Sequence, residues 1–583
     1  MRTALLFAAL AGPFAFSKAR RTTESQPALR PWDRTAAVEV FCNAGGFEFL
    51  VGRVTPDAWG TVARSCPEGH ALGLLALSDL LAGHPNGEVR RSVARMFGSE
   101  GVATAQVSDV ASSAKCIAGL QAALRDDDTN VRREAAKALR DIAWSGKVDA
   151  LVAQAVAALA DPLQVDEDWG VLLAVVRELS VLVASDHAAC RSAIRALVEM
   201  GLEHRSHIVR CGVTGALAKQ CVLLARGGGP GCVAECVTGL GKATRDVSVE
   251  VSEEAVEALT LIALAAPVGA NAWRAKAVVA LANALWSEEG EGLHSVVIRG
   301  LAEVAGSSSK CRALVVGVLA DVGLRHPSSM VRCGITDELG RQGEVSARSG
   351  EFGLVAECTR GLRIAARDAD LDVRTAAAGA LAGVASASAG RAGGCCAQAL
   401  AALAGMMPVC SDSGALLVVV RSMGKVVAGC PGEAALDLRP VSSMRRGAAA
   451  PAHEDRLGLL AKCVTGLGVA IRNVHPEVRK EAAMALAALA VRGLATEAVA
   501  ELARVLRVDE DAGVLLVVVE ALGRIASRRP GSHEAVMEAL RRAEEHRDSD
   551  VRRAIAATLR RRGGTEAPIG WISAADARSR LYR

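Results

Sequence analysis

The sequence predicts an all-α fold, an α-solenoid of stacked antiparallel helical hairpins, with about 13 repeats grouped in a three-hairpin super-repeat. Three observations predict it. First, residues 119–143, GLQAALRDDDTNVRREAAKALRDIA, hold a whole hairpin. Leu120 and Leu124 lie on one apolar run and Val131, Ala135, Ala138, Leu139 and Ile142 on a second, at helical three/four spacing, with a polar turn at 126–129 between them. Second, the plan recurs: Cys116 to Cys236 spans 120 residues and Cys236 to Cys358 spans 122, as do Gly170 to Gly292 and Gly292 to Gly414. Divided by three, that period is about 40 residues per hairpin. Third, a composition 51% hydrophobic but only 3% aromatic demands an interior of Ala, Val and Leu, which suits closely packed helices. One hairpin cannot bury its own apolar stripe, so each needs a copy on either side. The array is expected to be right-handed and roughly 100 to 130 Å along its axis.

The N-terminal residues read differently. Arg2 followed by an apolar run over 4–16, with Ala15-Phe16-Ser17 as a small-x-small site, has the layout of a secretory signal over residues 1–17. Residues 18–35 carry Lys18, Arg20, Arg21, Arg30 and Arg34 against Glu24 and Asp33, which is transit-like or linker composition. Together they resemble the bipartite plastid leader of algae with secondary plastids, which implies a plastid address; secretion and the cytoplasm are the alternatives. Residues 36–69, broken by Gly45-Gly46 and Pro56, are expected to form an irregular cap.

Hairpins are expected over 70–429 and again over 457–563. The first turns at His84-Pro85-Asn86-Gly87. Each larger unit opens on a Cys-x-x-Gly-Leu phrase at Cys116, Cys236, Cys358 and Cys463. Its second hairpin carries an acidic turn and a strongly apolar helix, DEDWGVLLAVVREL from Asp166 and DEDAGVLLVVVEAL from Asp509. Its third reads LEHRSHIVRCGVTGAL from Leu202 and LRHPSSMVRCGITDEL from Leu324. Over 430–456 this third hairpin survives only as LRPVSSMRRGAAA, which predicts a truncated repeat and a joint. Residues 541–583, with eleven Arg against six Asp plus Glu, make the C-terminal end basic, and 564–583 read as a tail. The formal charge of +4 on 583 residues gives no general case for nucleic acid.

Eight second helices open on a valine phrase, preceded three residues earlier by Asn86, Asp128, Ser206, Ser248, Ser328, Asp370, His475 and Asp548; all but His475 are good helix caps. The next residue after the valine is Arg90, Arg132, Arg210, Arg332, Arg374, Arg479 or Arg552, with Ser252 the exception. In a stack such arginines can pair with turn carboxylates of a neighbour; as a basic stripe they are candidates to hold an acidic partner peptide. Asp166, Asp168, Glu288, Glu289, Asp509 and Asp511 recur at helix starts, where they complement the helix dipole. Along one edge they are candidates for a basic partner segment. His84, His204, His326 and His546 hold one place in four hairpins, where a turn-stabilising role is expected.

Metal is not expected, since no CxxC occurs and Cys232 with Cys236 lacks a second ligand pair at zinc spacing. Half of the sixteen cysteines recur at matched positions and read as small core hydrophobes rather than disulfide halves, which points to a reducing compartment. No Gly-rich phosphate loop, HExxH or nucleophile elbow appears, so no catalytic residue and no cofactor is assigned.

The motif D-x-x-V-R-x-x-A-x-x-A-L, here Asp128, Val131, Arg132, Ala135, Ala138 and Leu139, resembles HEAT repeats of the sort grouped with phycobilisome-lyase-like proteins, over about residues 70–563. The resemblance implies an extended concave surface that holds another protein. Its phycobilisome-lyase branch would imply bilin attachment or antenna assembly. Deoxyhypusine hydroxylases are also HEAT-repeat proteins and bind iron through paired His-Glu motifs; here only His453-Glu454 and His533-Glu534 occur, which does not make that set. The expectation is a non-catalytic scaffold or adaptor with a protein partner, monomeric, with no membrane span in the mature chain.

Overall fold

The structure is a computed structural model that describes residues 67–560, apart from 185–187, 228–229, 266–270, 287–290, 389–392, 409, 411, 430–451 and 492–494. The signal-like and transit-like segments, most of the irregular cap, most of the truncated repeat and the basic tail lie outside the described residues. Among the described residues there are no strands, and twenty-four helices of nine residues or more pair into twelve hairpins. The chain forms two compact units, Met1–Gly300 and Leu301–Arg583.

In the first unit the hairpins are α1 (Pro67–Gly83) with α2 (Gly87–Gln106), α3 (Val110–Ala123) with α4 (Thr129–Ser145), and α5 (Asp149–Ala160) with α6 (Trp169–Val183). Then come α7 (Ala188–Ala196, prolonged by a π turn Leu197–Gly201) with α8 (His207–Gly227), α9 (Pro230–Ala243) with α10 (Val249–Ala265), and α11 (Asn271–Ala284) with α12 (Glu291–Ser307). The unit boundary falls inside α12. First helices pack on first helices in the order α1, α3, α5, α7, α9, α11, and second on second in the order α2, α4, α6, α8, α10. α8 is long and apolar enough over His207–Ala225 to cross a membrane by length and composition. It is the second helix of its hairpin, packed on α6, α9 and α10.

The second unit repeats the plan with α13 (Ser309–Asp321) and α14 (Ser329–Ser349), α15 (Phe352–Ala365) and α16 (Leu371–Ala387), and α17 (Gly393–Met406) and α18 (Ser413–Gly429). It continues with α19 (Ala452–Ala470) and α20 (Pro476–Ala490), α21 (Ala495–Val508) and α22 (Ala512–Arg528), and α23 (His533–Arg541) and α24 (Ser549–Arg560). α18 packs directly on α20, and Arg421 Nε donates to Glu481 at 3.0 Å across 60 residues of sequence. The stack thus passes from the α17–α18 hairpin to the α19–α20 hairpin, with segment 430–451 between them in the chain.

The helices bury the face that their spacing predicts. In α4 the buried residues include Val131, Ala135, Ala138, Leu139 and Ile142. Alanine-rich interiors bring second helices close: a Cβ on Gly98 would lie 2.6 Å from the Ala138 Cβ, and one on Gly340 2.6 Å from the Ala380 Cβ and 3.2 Å from its Cα. Both glycines follow their hairpin's arginine by eight residues, so the close approach is a property of the repeat. α14 ends on Gly350 at φ 77, a left-handed stop suited to glycine.

The caps are more varied than the sequence suggests. Asn86, Asp128, Asp370 and Asp548 accept backbone N–H bonds from the first turn, as do Asp168 and Asp511. Ser328 makes no side-chain cap bond, and the Ser248 hydroxyl donates to the Glu250 carboxylate instead. At both serines the turn is held from two residues upstream, by His326 and Asp246, each accepting the serine's own backbone N–H.

Candidate functional site

The conspicuous polar feature is a series of clasps between the turns of neighbouring hairpins. At Arg332, Nη1 donates to the carbonyls of His326 and Pro327, both at 2.8 Å, so the guanidinium is folded against its own turn. Its Nε and Nη2 then reach the next hairpin and donate to the two oxygens of Asp368, each at 2.8 Å. Asp368 also accepts the Asp370 backbone N–H at 2.8 Å. The side chains are 13% and 12% exposed, which makes this a part-buried bidentate pair rather than a surface one. Arg90 with Asp126, Arg210 with Asp246 and Arg479 with Asp509 repeat the fork. Arg132 divides its guanidinium between Asp166 and Asp168 at 3.2 and 3.0 Å.

The electrostatics follow from the geometry. Burial alone would raise the carboxyls of Asp126, Asp246 and Asp368, but their arginines and backbone N–H donors hold them below the ordinary aspartate value. Hydrogen bonds to the same carboxylates raise Arg90, Arg210 and Arg332.

Among the described residues, three second helices carry leucine in place of the arginine, and the turns that follow them lack the aspartate. Leu172, Leu416 and Leu515 are buried at the arginine's register position. The next turns carry His204, Asn473 and His546, whose side chains accept the N–H of Ser206, His475 and Asp548 at 3.0, 2.9 and 3.1 Å, and Asn473 also accepts the Ser413 hydroxyl of the preceding hairpin at 3.3 Å. His84 likewise accepts the N–H of Asn86 at 3.0 Å. Burial, then the neighbouring Arg205 and Arg210, hold His204 below the ordinary histidine value, which suits a neutral ring accepting through Nδ1.

One clasp is broken. Arg374 donates through Nη1 to the carbonyls of Asp368 and Ala369, each at 2.8 Å, but 36 residues on, where Arg90, Arg210 and Arg332 find aspartate, it meets Cys410. Arg374 is 9% exposed and its Nε has no hydrogen-bond partner. Burial keeps the Cys410 thiol above its ordinary value in spite of the adjacent guanidinium. Cys410→Asp is expected to complete the fork and raise stability by about 1 kcal/mol. The check is the urea midpoint of the variant, with Cys410→Ser as the control that should not rise.

The structure therefore joins most of the residues proposed from sequence into one system. Arg90, Arg132, Arg210, Arg332 and Arg479 bond to carboxylates of the next hairpin. Asp166 and Asp168 share Arg132, Asp509 takes Arg479, and Asp511 caps α22. Arg552 is exposed and, among the described residues, bonds only the carbonyls of His546 and Arg547. Glu288 and Glu289 lie outside the described residues. The signal that links the two stripes is the recurring offset of 36 from arginine to aspartate. Among the described residues no three His, Cys, Asp or Glu side chains are arranged to hold a metal ion.

Beside the satisfied clasps, the same turns expose large apolar side chains. Val247 is 86%, Trp169 62% and Val474 88% exposed, and Val165, Val249 and Val508 are exposed too.

A stack of antiparallel hairpins bound through neighbouring turns defines an α-solenoid repeat protein. Residues 74–180 match the family of HEAT repeats. No curated protein matches the chain in sequence. Among solved structures, an engineered protein is similar at 21% identity and a TM-score of 0.27, over 83% of this chain and 98% of that one. Kap121p is similar at 12% identity and a TM-score of 0.32, over 91% of this chain and 55% of Kap121p, and a multiply substituted Kap121p at 10% and 0.33, over 90% and 55%. Likenesses this low decide nothing about what the chain binds.

Proposed function

We propose that the chain is a non-catalytic repeat scaffold that holds another protein along the edge formed by its hairpin turns. The observation that carries this reading is the pairing, within each unit, of polar clasps with exposed apolar side chains at the hairpin turns. The guanidiniums of Arg90, Arg210, Arg332 and Arg479 are committed to neighbouring aspartates. Trp169 and Val247 stand in solvent a few residues away in their turns. Repeated exposure of large apolar groups costs solubility and is characteristic of surfaces that meet a partner.

The test is recovery of the tagged full-length chain from its own cells, with mass spectrometry and an absorption spectrum of what accompanies it. A stoichiometric protein partner is expected with the wild type. Trp169→Glu combined with Val247→Glu should reduce it at least tenfold without moving the melting temperature. Retention of the partner by that variant would remove the turn edge from the reading, and a visible-absorbing chromophore in its place would favour bilin chemistry over a scaffold.

A further inference from the structure

Four cysteines, two at recurring positions (Cys190 and Cys236) and two outside the pattern (Cys221 and Cys232), gather in one place. Cys190 lies in the first turn of α7, Cys221 in α8, and Cys232 and Cys236 in α9, which packs on both α7 and α8. Cys190, Cys221 and Cys236 are buried, while Cys232 is half-buried and faces solvent in part. All four are free thiols.

The register of the repeat fixes the inner pair. Gly101 and Gly343 each stand eleven residues after their arginine and fifteen before the cysteine of the next Cys-x-x-Gly-Leu phrase. A Cβ built on Gly101 lies 3.2 Å from the Cβ of Cys116, and one on Gly343 lies 3.2 Å from the Cβ of Cys358. The residue at that register position in α8, eleven after Arg210 and fifteen before Cys236, is Cys221. Disulfides need Cβ atoms about 3.5 to 4.5 Å apart, so the chain places a cysteine where its own geometry nearly supplies that separation. Each pair is close enough for one thiol to perturb the other: Cys236 helps to raise Cys221, and Cys232 helps to raise Cys190.

We propose that Cys190, Cys221, Cys232 and Cys236 form a thiol–disulfide redox site, with Cys190–Cys232 the solvent-side pair and Cys221–Cys236 the inner pair. The co-reactant is a small-molecule disulfide such as oxidised glutathione. The Cys232 thiolate attacks one glutathione sulfur and expels the other as a thiolate, leaving a mixed disulfide. The Cys190 thiolate then attacks the Cys232 sulfur and expels the second glutathione. Two thiols and one disulfide give one disulfide and two glutathione thiols, with two electrons passing to glutathione. The inner pair is oxidised by exchange with the outer disulfide, which a second glutathione disulfide restores. Burial, then the neighbouring thiols, push Cys190 and Cys221 above the ordinary thiol value, so the attack of Cys190 on the mixed disulfide and the exchange that oxidises the inner pair should quicken as pH rises. The closed site would tie α7 and α8 to α9, fixing one hairpin to the next.

The experiment incubates the full-length protein with oxidised glutathione and maps disulfides by mass spectrometry after alkylation. Peptides linked as Cys190–Cys232 and Cys221–Cys236 are expected, with a loss of four of the sixteen thiols. Cys232→Ser removes the outer linkage outright and should slow the inner one at least tenfold. Cys221→Gly, which installs the residue found at that position in two other hairpins, should remove the inner linkage and leave the outer one. Absence of either linkage, persistent glutathione on Cys232, or one equivalent of zinc that protects the four thiols from alkylation would overturn the proposal.

Discussion

Asp368→Ala should destabilise the second unit by about 3 kcal/mol, because it leaves the part-buried Arg332 guanidinium without its carboxylate. Most of that loss reflects the stranded arginine rather than the worth of the pair. The protein already contains the remedy: at Leu515 and His546 a buried leucine stands for the arginine and a histidine for the aspartate. Arg332→Leu with Asp368→His should therefore recover much of the loss that Asp368→Ala causes. Urea unfolding of the three variants checks both statements. Equal losses in the single and double variants would mean that the clasp contributes by something other than charge pairing.

Gly340→Leu should cost a similar amount, about 3 kcal/mol, by forcing apart α14 and α16 where a Cβ already meets the Ala380 backbone at 3.2 Å. Gly340→Ala should cost less, about 1 to 2 kcal/mol, since a Cβ 2.6 Å from the Ala380 Cβ forces the helices apart by less than a leucine would and better helix propensity offsets part of the strain. The same register position holds Ala218 in α8, opposite Ala258 of α10, so an alanine there is compatible with the stack. Thermal melting of the pair distinguishes tight packing from a general intolerance of side chains at this helix face.

The architecture was legible because it rests on spacing. The three/four pattern in 119–143 is the buried face of α3 and α4, and the turn at His84-Pro85-Asn86-Gly87 separates α1 from α2. The recurring histidines serve their turns as expected, by accepting the N–H two residues on. Less legible were pairings between repeats, since a sequence shows each stripe but not its offset from the next. Ser328 and Ser248 look like caps by residue type, yet their turns are held by His326 and Asp246. Cys221 was hidden for a related reason. It fills a position that is glycine in two sister hairpins, so no pattern of cysteines reveals it, and only the approach of α8 to α9 brings it to Cys236.

The alternation of clasped and unclasped junctions bears on how the array comes apart. In a nearest-neighbour chain each interface contributes its own increment, and cooperativity extends as far as consecutive interfaces are comparably strong. Within the first unit the arginines bind α2 to α4 and α4 to α6, the link from α6 to α8 has only the exposed Arg205–Glu167 pair in place of a clasp, and α8 is bound again to α10. Within the second, α14 is bound to α16 and α20 to α22, and the junctions from α16 to α18 and from α22 to α24 have no such clasp among the described residues. Melting should accordingly proceed in blocks of two or three hairpins, opening first at the leucine–histidine seams. A sequence that looks like one uniform repeat thus encodes a row of short, separately cooperative segments.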